Sequence, residues 1–210
     1  MSPLRLLLAC SAAALAAAAA APSAQSPISI EARPRVVPAV GDLVLSGILA
    51  NGQAHEHITV QANECLFPGW REVATAETEP GGVWHVTPPL DGKTTFRAKW
   101  KTAVSAGVTV QHRPRVDLEH LGRTRWTVRV LALRSFLDRH AQLQRFDRRT
   151  RRWRTVKSVR LTDKFSYPAG TYTGANFRAR VPRGTQVRAT IARSQVKPCY
   201  LAGYSLILTT

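Results

Sequence analysis

The sequence predicts an all-β protein made of two β-sandwiches in tandem, and three observations carry that prediction. One stretch of the chain recurs at a domain-sized interval. Apolar and polar residues alternate in short runs. Turn-forming residues punctuate those runs at close spacing.

The repeat comes first because it fixes the organisation. His57-Ile58-Thr59-Val60-Gln61 through Trp70-Arg71-Glu72-Val73 returns without a gap as His140-Ala141-Gln142-Leu143-Gln144 through Trp153-Arg154-Thr155-Val156. The offset is 83 residues, with identities at His57/His140, Gln61/Gln144, Trp70/Trp153, Arg71/Arg154 and Val73/Val156. A period of that size marks two copies of one domain. The expected units are residues 25–112 and 113–210.

Ahead of them, Met1–Ala24 reads as a signal peptide. Arg5 supplies the positive start, Leu6–Ala21 the apolar stretch, and small residues fill Ala19–Ala24. An uncleaved anchor is the alternative, but the apolar stretch is short and mostly Ala for crossing about 30 Å of hydrocarbon. Leu7-Leu8-Ala9-Cys10 has the look of a lipid-attachment box, although few residues precede the cysteine and the apolar run continues past it.

Strand signals follow in order. Ile58, Val60 and Ala62 alternate with Thr59, Gln61 and Asn63, and Phe96, Ala98 and Trp100 with Arg97 and Lys99. In the second copy Trp126, Val128, Val130 and Ala132 alternate with Thr127, Arg129 and Leu131. Phe177, Ala179 and Val181 alternate with Arg178 and Arg180, and Val187, Ala189 and Ile191 with Arg188 and Thr190. Period-two alternation means strands with one buried and one wet face. Turns are expected at Asn51-Gly52, Pro68-Gly69, Pro80-Gly81-Gly82, Asp91-Gly92, Arg183-Gly184 and Ala202-Gly203. About seven short strands per copy, with turns every eight to twelve residues, is the pattern of an immunoglobulin-like (fibronectin III-like) sandwich. The copies diverge at Lys164–Gly174, and Gln111–Pro114 is a connection too short for free tumbling.

Charge separates the copies. The chain carries a net +17, yet residues 25–112 hold seven basic and eight acidic side chains while residues 115–210 hold 21 and five. Arg148, Arg149, Arg151, Arg152 and Arg154 crowd the hairpin after the second copy's strand C, where the first copy has Cys65, Leu66, Pro68, Gly69 and Arg71. Arg125, Arg129, Arg178 and Arg180 should point outward from neighbouring strands B and E, where like charges repel. An anionic partner relieves that repulsion, and the guanidinium fork suits phosphate, sulfate or carboxylate. The competing reading is a solvated surface enriched in arginine by base composition. No helix or motif points to sequence-specific nucleic-acid binding.

With the leader removed, Cys65 and Cys199 are the remaining cysteines. Export favours their oxidation. Cys65 follows strand C of copy one and Cys199 lies between strands F and G of copy two, so both face the joint. An interdomain disulfide is geometrically reasonable; two thiols, or pairing with another chain, are the alternatives.

Chemistry-bearing patterns are sparse. His55 and His57 have metal-like spacing but lack a third ligand in sequence, so no metal or cofactor is expected. Gly92-Lys93-Thr94 lacks the upstream P-loop glycine, and Gly203-Tyr204-Ser205-Leu206-Ile207 lacks the closing glycine of a nucleophile elbow. Trp70 and Trp153 could form an aromatic platform for sugars, with core packing as the default. The expectation is a chain that is not an enzyme.

The order Thr-Val-Gln, Trp-Arg, Gly-Val-Trp, Thr-Thr-Phe-Arg-Ala-Lys-Trp (94–100) and Ser-Ala-Gly-Val-Thr-Val (105–110) resembles exported immunoglobulin-like repeat proteins of actinobacteria and other high-GC bacteria. Leu-Gln-Arg-Phe-Asp (143–147), Arg-Val-Pro-Arg-Gly-Thr (180–185) and Leu-Ala-Gly-Tyr-Ser (201–205) are similar to their second domains. The resemblance implies the fold and a secreted, extracellular or cell-envelope setting; it carries no site residues. The function expected is an envelope-associated binding or adhesion module whose basic second domain contacts acidic polymers. The alternative is a structural spacer or protein–protein module.

Overall fold

The alternation in the sequence becomes two sandwiches in the computed structural model, which describes residues 26–38, 41–90, 92–167 and 170–210. The leader Met1–Ala24 lies outside the described residues. The first half contains β1 (Glu31–Arg33), β2 (Val36–Pro38), β3 (Val44–Ile48), β4 (His57–Glu64), β5 (Trp70–Glu77), β6 (Val83–Val86), β7 (Thr94–Trp100), β8 (Ala103–Val104) and β9 (Val108–Arg113). One sheet runs β1-β3-β6; the other runs β2-β9-β7-β4-β5, with β8 on β7. The second half contains β10 (Arg115–Gly122), β11 (Arg125–Ala132), β12 (His140–Asp147), β13 (Arg152–Arg160), β14 (Asp163–Tyr167), β15 (Gly170–Arg178), β16 (Gln186–Ile191), α1 (Arg193–Val196), β17 (Gly203–Tyr204) and β18 (Leu208–Thr209). Its sheets run β10-β11-β15-β14 and β13-β12-β16-β17, with β18 on β16. In both halves the second and fifth strands of the immunoglobulin order pair in one sheet while the third and sixth pair in the other, so each is an immunoglobulin-like sandwich.

The 83-residue repeat is a repeat of geometry as well as of letters. β4 and β12 are both eight residues long and start on the matched histidines. Each carries a register shift at the same place, between Val60 and Gln61 and between Leu143 and Gln144. Each core is closed by one fully buried tryptophan, Trp84 in the first half and Trp126 in the second. Truncating such an indole to Ala costs about 3–5 kcal/mol. The divergent stretch after Lys164 forms the β14–β15 hairpin, an added edge strand in the second half.

Three details depart from the sequence reading. Gln111, His112 and Arg113 are not connection: they extend β9, paired in parallel with Val36, Val37 and Pro38, so Pro114 alone separates β9 from β10. Ala202-Gly203 is not a turn. Gly203 starts β17, where an added Cβ would lie 2.7 Å from the Pro114 carbonyl oxygen and 2.8 Å from Val116, so the close approach of the linker demands glycine. On β11, Thr127 and Leu131 are buried as well as their alternating neighbours. Their cross-strand partners share that face and cover them: Glu119 and Asn176 for Thr127, Arg115 and Tyr172 for Leu131.

The halves are locked together. Cys65 and Cys199 form a disulfide with Cα atoms 5.4 Å apart, and Cys65 and Leu66 pack against the second core. Around it, the Cys65 N–H donates to the Lys93 carbonyl at 2.9 Å and the Lys93 N–H to the Cys199 carbonyl at 2.7 Å. The Leu201 N–H donates to the His112 carbonyl at 2.9 Å, and the Arg113 guanidinium donates to the Ala202 carbonyl. Gly92, in the left-handed region at φ +72°, places its N–H 3.2 Å from His112 Nδ1. The His112 ring also donates to the Pro38 carbonyl and lies 5.4 Å from the Tyr200 ring, which meets Phe136 edge-on.

Two predictions follow from this joint. The disulfide encloses a sequence separation of 134 residues, for which chain entropy gives about 5 kcal/mol of stabilisation. Reduction, or the pair Cys65→Ser/Cys199→Ser, lowers the calorimetric melting temperature, and the loss persists at all salt concentrations. Burial pushes the His112 pKa below its ordinary value of 6.5, outweighing the Pro38 hydrogen bond that raises it. The unfolded chain therefore binds the proton first: stability is full above about pH 6.5 and declines as pH falls toward the lowered folded value, by at most about 1.4 kcal/mol per pH unit. Urea melts between pH 5 and 8 check this, and His112→Gln flattens the dependence over that window.

Candidate functional site

Strand direction decides where the second half's arginines go. β10 leaves the joint and turns into β11 at residues 122–124. β12 leaves the joint and turns into β13 at 148–151; β15, antiparallel to β11, also runs outward and leads into the 179–185 loop. All three connections therefore meet at the pole opposite the disulfide. They carry Arg123 and Arg125, then Arg145, Arg148, Arg149, Arg151 and Arg152, then Arg178, Arg180 and Arg183, every one of them exposed. Among the described residues none of these ten has a carboxylate within 4.0 Å.

The pole has a rigid floor. Trp126, Leu143, Ala179 and Val187 form a small core cluster beneath it, and Trp126 Nε1 donates to the Ala179 carbonyl at 3.1 Å. Among the openings around this floor, two lie at the ends of different sheets. One, of about 400 Å³, lies between Arg145–Arg149 and Gly184–Gln186. The other, of about 480 Å³, is lined by Gly122, Arg123, Thr124, Arg125 and Arg178. Arg125 and Arg178 stand directly opposite each other in the β11–β15 ladder. That like-charge pair costs a few tenths of a kcal/mol to about 1 kcal/mol when nothing neutralises it.

The other arginines expected at the site are placed differently. Arg129 faces Gly174 on one side and Asp117 on the other, with Glu119 at 3.8 Å, so it has acidic neighbours and no opposing arginine. Arg180 lies beyond the end of β15 and takes no part in the ladder. Arg154 Nε is 2.9 Å from Asp147. The first half repeats that ion pair as Arg71 with the buried Glu64, which marks Arg154 as part of the shared framework. Asp147 is held below the usual carboxylate range, first by the Thr150 N–H and then by the Arg149 N–H and Arg154. Its charge is spent on folding the turn, which leaves Arg148, Arg149, Arg151 and Arg152 without a local counter-ion.

A second shared unit escaped the sequence reading. Arg97 Nε donates to Gln61 Oε1 at 2.9 Å and its guanidinium lies 4.0 Å from the Trp70 ring centroid. Arg188 Nε donates to Gln144 Oε1 at 3.0 Å and its guanidinium lies 4.3 Å from Trp153. The matched Gln and Trp had signalled it; their arginine partners fall outside the gapless repeat. Each indole thus has an arginine stacked on one face, while Trp70 remains 39% exposed. Arg188 also lies 4.7 Å from Tyr204, and partial burial lowers its pKa. Ser105 and Ser205 form a third pair: each hydroxyl accepts from the facing strand, Ala98 N–H at 2.9 Å and Ala189 N–H at 2.8 Å.

His55 and His57 each place Nδ1 3.7 Å from Glu77 on the first half. No group of three His, Cys, Asp or Glu side chains arranged to hold a metal occurs among the described residues. No described helix is long and apolar enough to cross a membrane.

No protein-family model matches the chain, and no curated protein matches it. Among solved structures it is similar to the crystal structure of a tetra-tandem repeat in the extending region of a large adhesion protein, at 12% identity and a TM-score of 0.37. The match covers 88% of this chain and 49% of that one, so this chain spans about half its length. The likeness is loose, and the fold assignment rests on this chain's own sheets.

The shared Gln–Arg–Trp unit is testable. Arg188→Met strands Gln144 Oε1 and uncovers Trp153. It lowers stability by about 1–2 kcal/mol, and a red shift of tryptophan fluorescence in the folded protein accompanies the loss.

Proposed function

We propose that this protein is an exported, non-enzymatic binding or adhesion module of the cell envelope, whose second sandwich holds acidic polymers. The observation that carries this reading is the gathering of ten exposed arginines from three separate sequence stretches onto one pole. Drift in base composition scatters arginine; it does not explain why the corresponding pole of the first half is apolar and docked. A cross-strand Arg125–Arg178 pair is a standing cost to the fold, which a bound anion would remove. Arginine's planar fork favours phosphate, sulfate and carboxylate oxygens over neutral ligands. The resemblance to exported repeat proteins and a disulfide that suits an oxidising compartment support the envelope setting.

The rigid joint gives the alternative reading its support. One proline between β9 and β10, plus a covalent clamp, also suits a spacer that holds two partners apart. Salt separates the two readings. For the binding module, log affinity for an anionic polymer falls linearly with log salt. Replacing Arg148, Arg149, Arg151 and Arg152 with Gln flattens the slope by about 0.7 per arginine. A spacer retains polymer equally weakly before and after the replacement.

Stability gives an independent check. Arg178→Thr removes the opposed charge at an exposed strand position, so it raises stability by a few tenths of a kcal/mol to about 1 kcal/mol in low salt while weakening polymer binding. A thermal melt and a binding titration on the same variant read both effects.

A further inference from the structure

Two openings on the arginine pole lie at the ends of different sheets. One sits at the ends of β12 and β16, the other at the ends of β11 and β15. Facing sheets in a sandwich stand about 10 Å apart, so a single small anion reaches one opening and not both. The 179–185 loop passes between them and carries Arg180 and Arg183, which makes the route across the pole basic throughout.

The repeat says what this pole is for. The first half uses its corresponding pole, with Cys65 and Leu66 in the turn after β4 and Gly92 and Lys93 after the loop that follows β6, to grip the second half. At the 83-residue offset, Cys65 and Leu66 become Arg148 and Arg149. The gripping apparatus is retained in shape and changed in chemistry, from an apolar covalent contact to a charged one.

We infer that the second half grips a linear chain of regularly spaced oxyanions end-on, laid across the pole so that it occupies both openings at once. This rests on the polymer-binding reading and adds the place, the direction and a minimum ligand length. The two openings act as linked half-sites: once one is filled, the other sees its ligand group at high effective concentration. Both half-sites are open and present guanidinium groups beside neutral residues; the first is also lined by Phe146 and by Asp147, whose carboxylate is paired with Arg154. They discriminate by charge spacing rather than by the shape of one monomer. The shared chemistry is a row of oxyanions, supplied by phosphodiester-type or by carboxylate polymers.

The test uses the mature oxidised chain and two ladders of probes of increasing length: linear inorganic polyphosphates starting from orthophosphate, and oligogalacturonates starting from the monomer. Affinity is expected to rise abruptly, by tenfold or more, at the length that reaches both openings; the ladder showing the step identifies the source. Neutralising either opening, by Arg145/Arg148/Arg149→Gln or by Arg123/Arg125/Arg178→Gln, abolishes the step and returns long chains to short-chain affinity. A control with the same charge change at the opposite end, Arg139/Arg193/Lys197→Gln, keeps it. Circular dichroism confirms that all three variants are folded.

A smooth rise with length that all three variants weaken equally would overturn the two-opening arrangement while leaving polymer binding standing. So would tighter binding to anionic lipid vesicles than to any soluble chain. Failure of the unmodified protein to bind any probe at 50 mM salt would remove the underlying reading itself.

Discussion

The structure depends on the seam between the two sandwiches, where backbone, thiols and a buried imidazole act together. A small β-sandwich buries only part of its surface, and each half here is about 90 residues long. Each gains from covering one end. The seam provides that cover for both. The Lys93 backbone donates to Cys199 and accepts from Cys65, so the covalent bridge is flanked by hydrogen bonds that hold the same two residues in place. His112 then fills the space between Pro38, Gly92 and Tyr200 with a ring that must stay neutral to accept the Gly92 N–H. The ends that meet are thus fixed in orientation, and the remaining end of the second half is fixed relative to everything else.

Duplication followed by divergence is visible at the level of single bonds. Four features survive in both halves: the strand bulge after Val60 and Leu143, the Gln–Arg–Trp unit, the carboxylate–arginine pair at the hairpin, and the serine that caps the last strand. All four lie within the sheet formed by the third, sixth and last strands and the hairpin strand beside them. Differences collect at the ends of the strands. Loops tolerate change because their side chains do not close the core, so a duplicated sandwich diversifies at its poles while its sheet retains its bonding.

Most of the fold was legible in the sequence because a two-residue period and a gapless repeat are local signals. The alternation of Ile58, Val60 and Ala62 with polar neighbours requires no knowledge of the rest of the chain. The facing of Cys65 and Cys199 was legible for a different reason: assigning strand letters to the repeat fixes which end each loop occupies. What escaped depended on contacts across the sheet. Gln111–Arg113 looked like a linker because its strand partner, Val36–Pro38, is over 70 residues away and pairs in parallel. Thr127 and Leu131 looked exposed because burial by cross-strand neighbours leaves no mark on their own sequence. The arginines read as two clusters, one on a hairpin and one on a sheet face. Only the outward course of β10, β12 and β15 merges most of them into one pole and assigns Arg129 and Arg154 to acidic partners.

The bridge between Cys65 and Cys199 also has a mechanical meaning. When the chain is pulled from points outside those two residues, tension passes from one sulfur to the other and bypasses everything between them. The enclosed 134-residue separation corresponds to roughly 450 Å of extended backbone at about 3.3–3.6 Å per residue. That length stays out of reach of the load while the bond is oxidised. Strands β5–β16 lie inside this protected span, whereas β18 lies outside it and holds the arginine pole through its pairing with β16 and through Thr210, which bonds Pro182, Gly184 and Thr185. A load on the C-terminal side therefore reaches the arginine pole through β18 while the strands beneath it stay shielded.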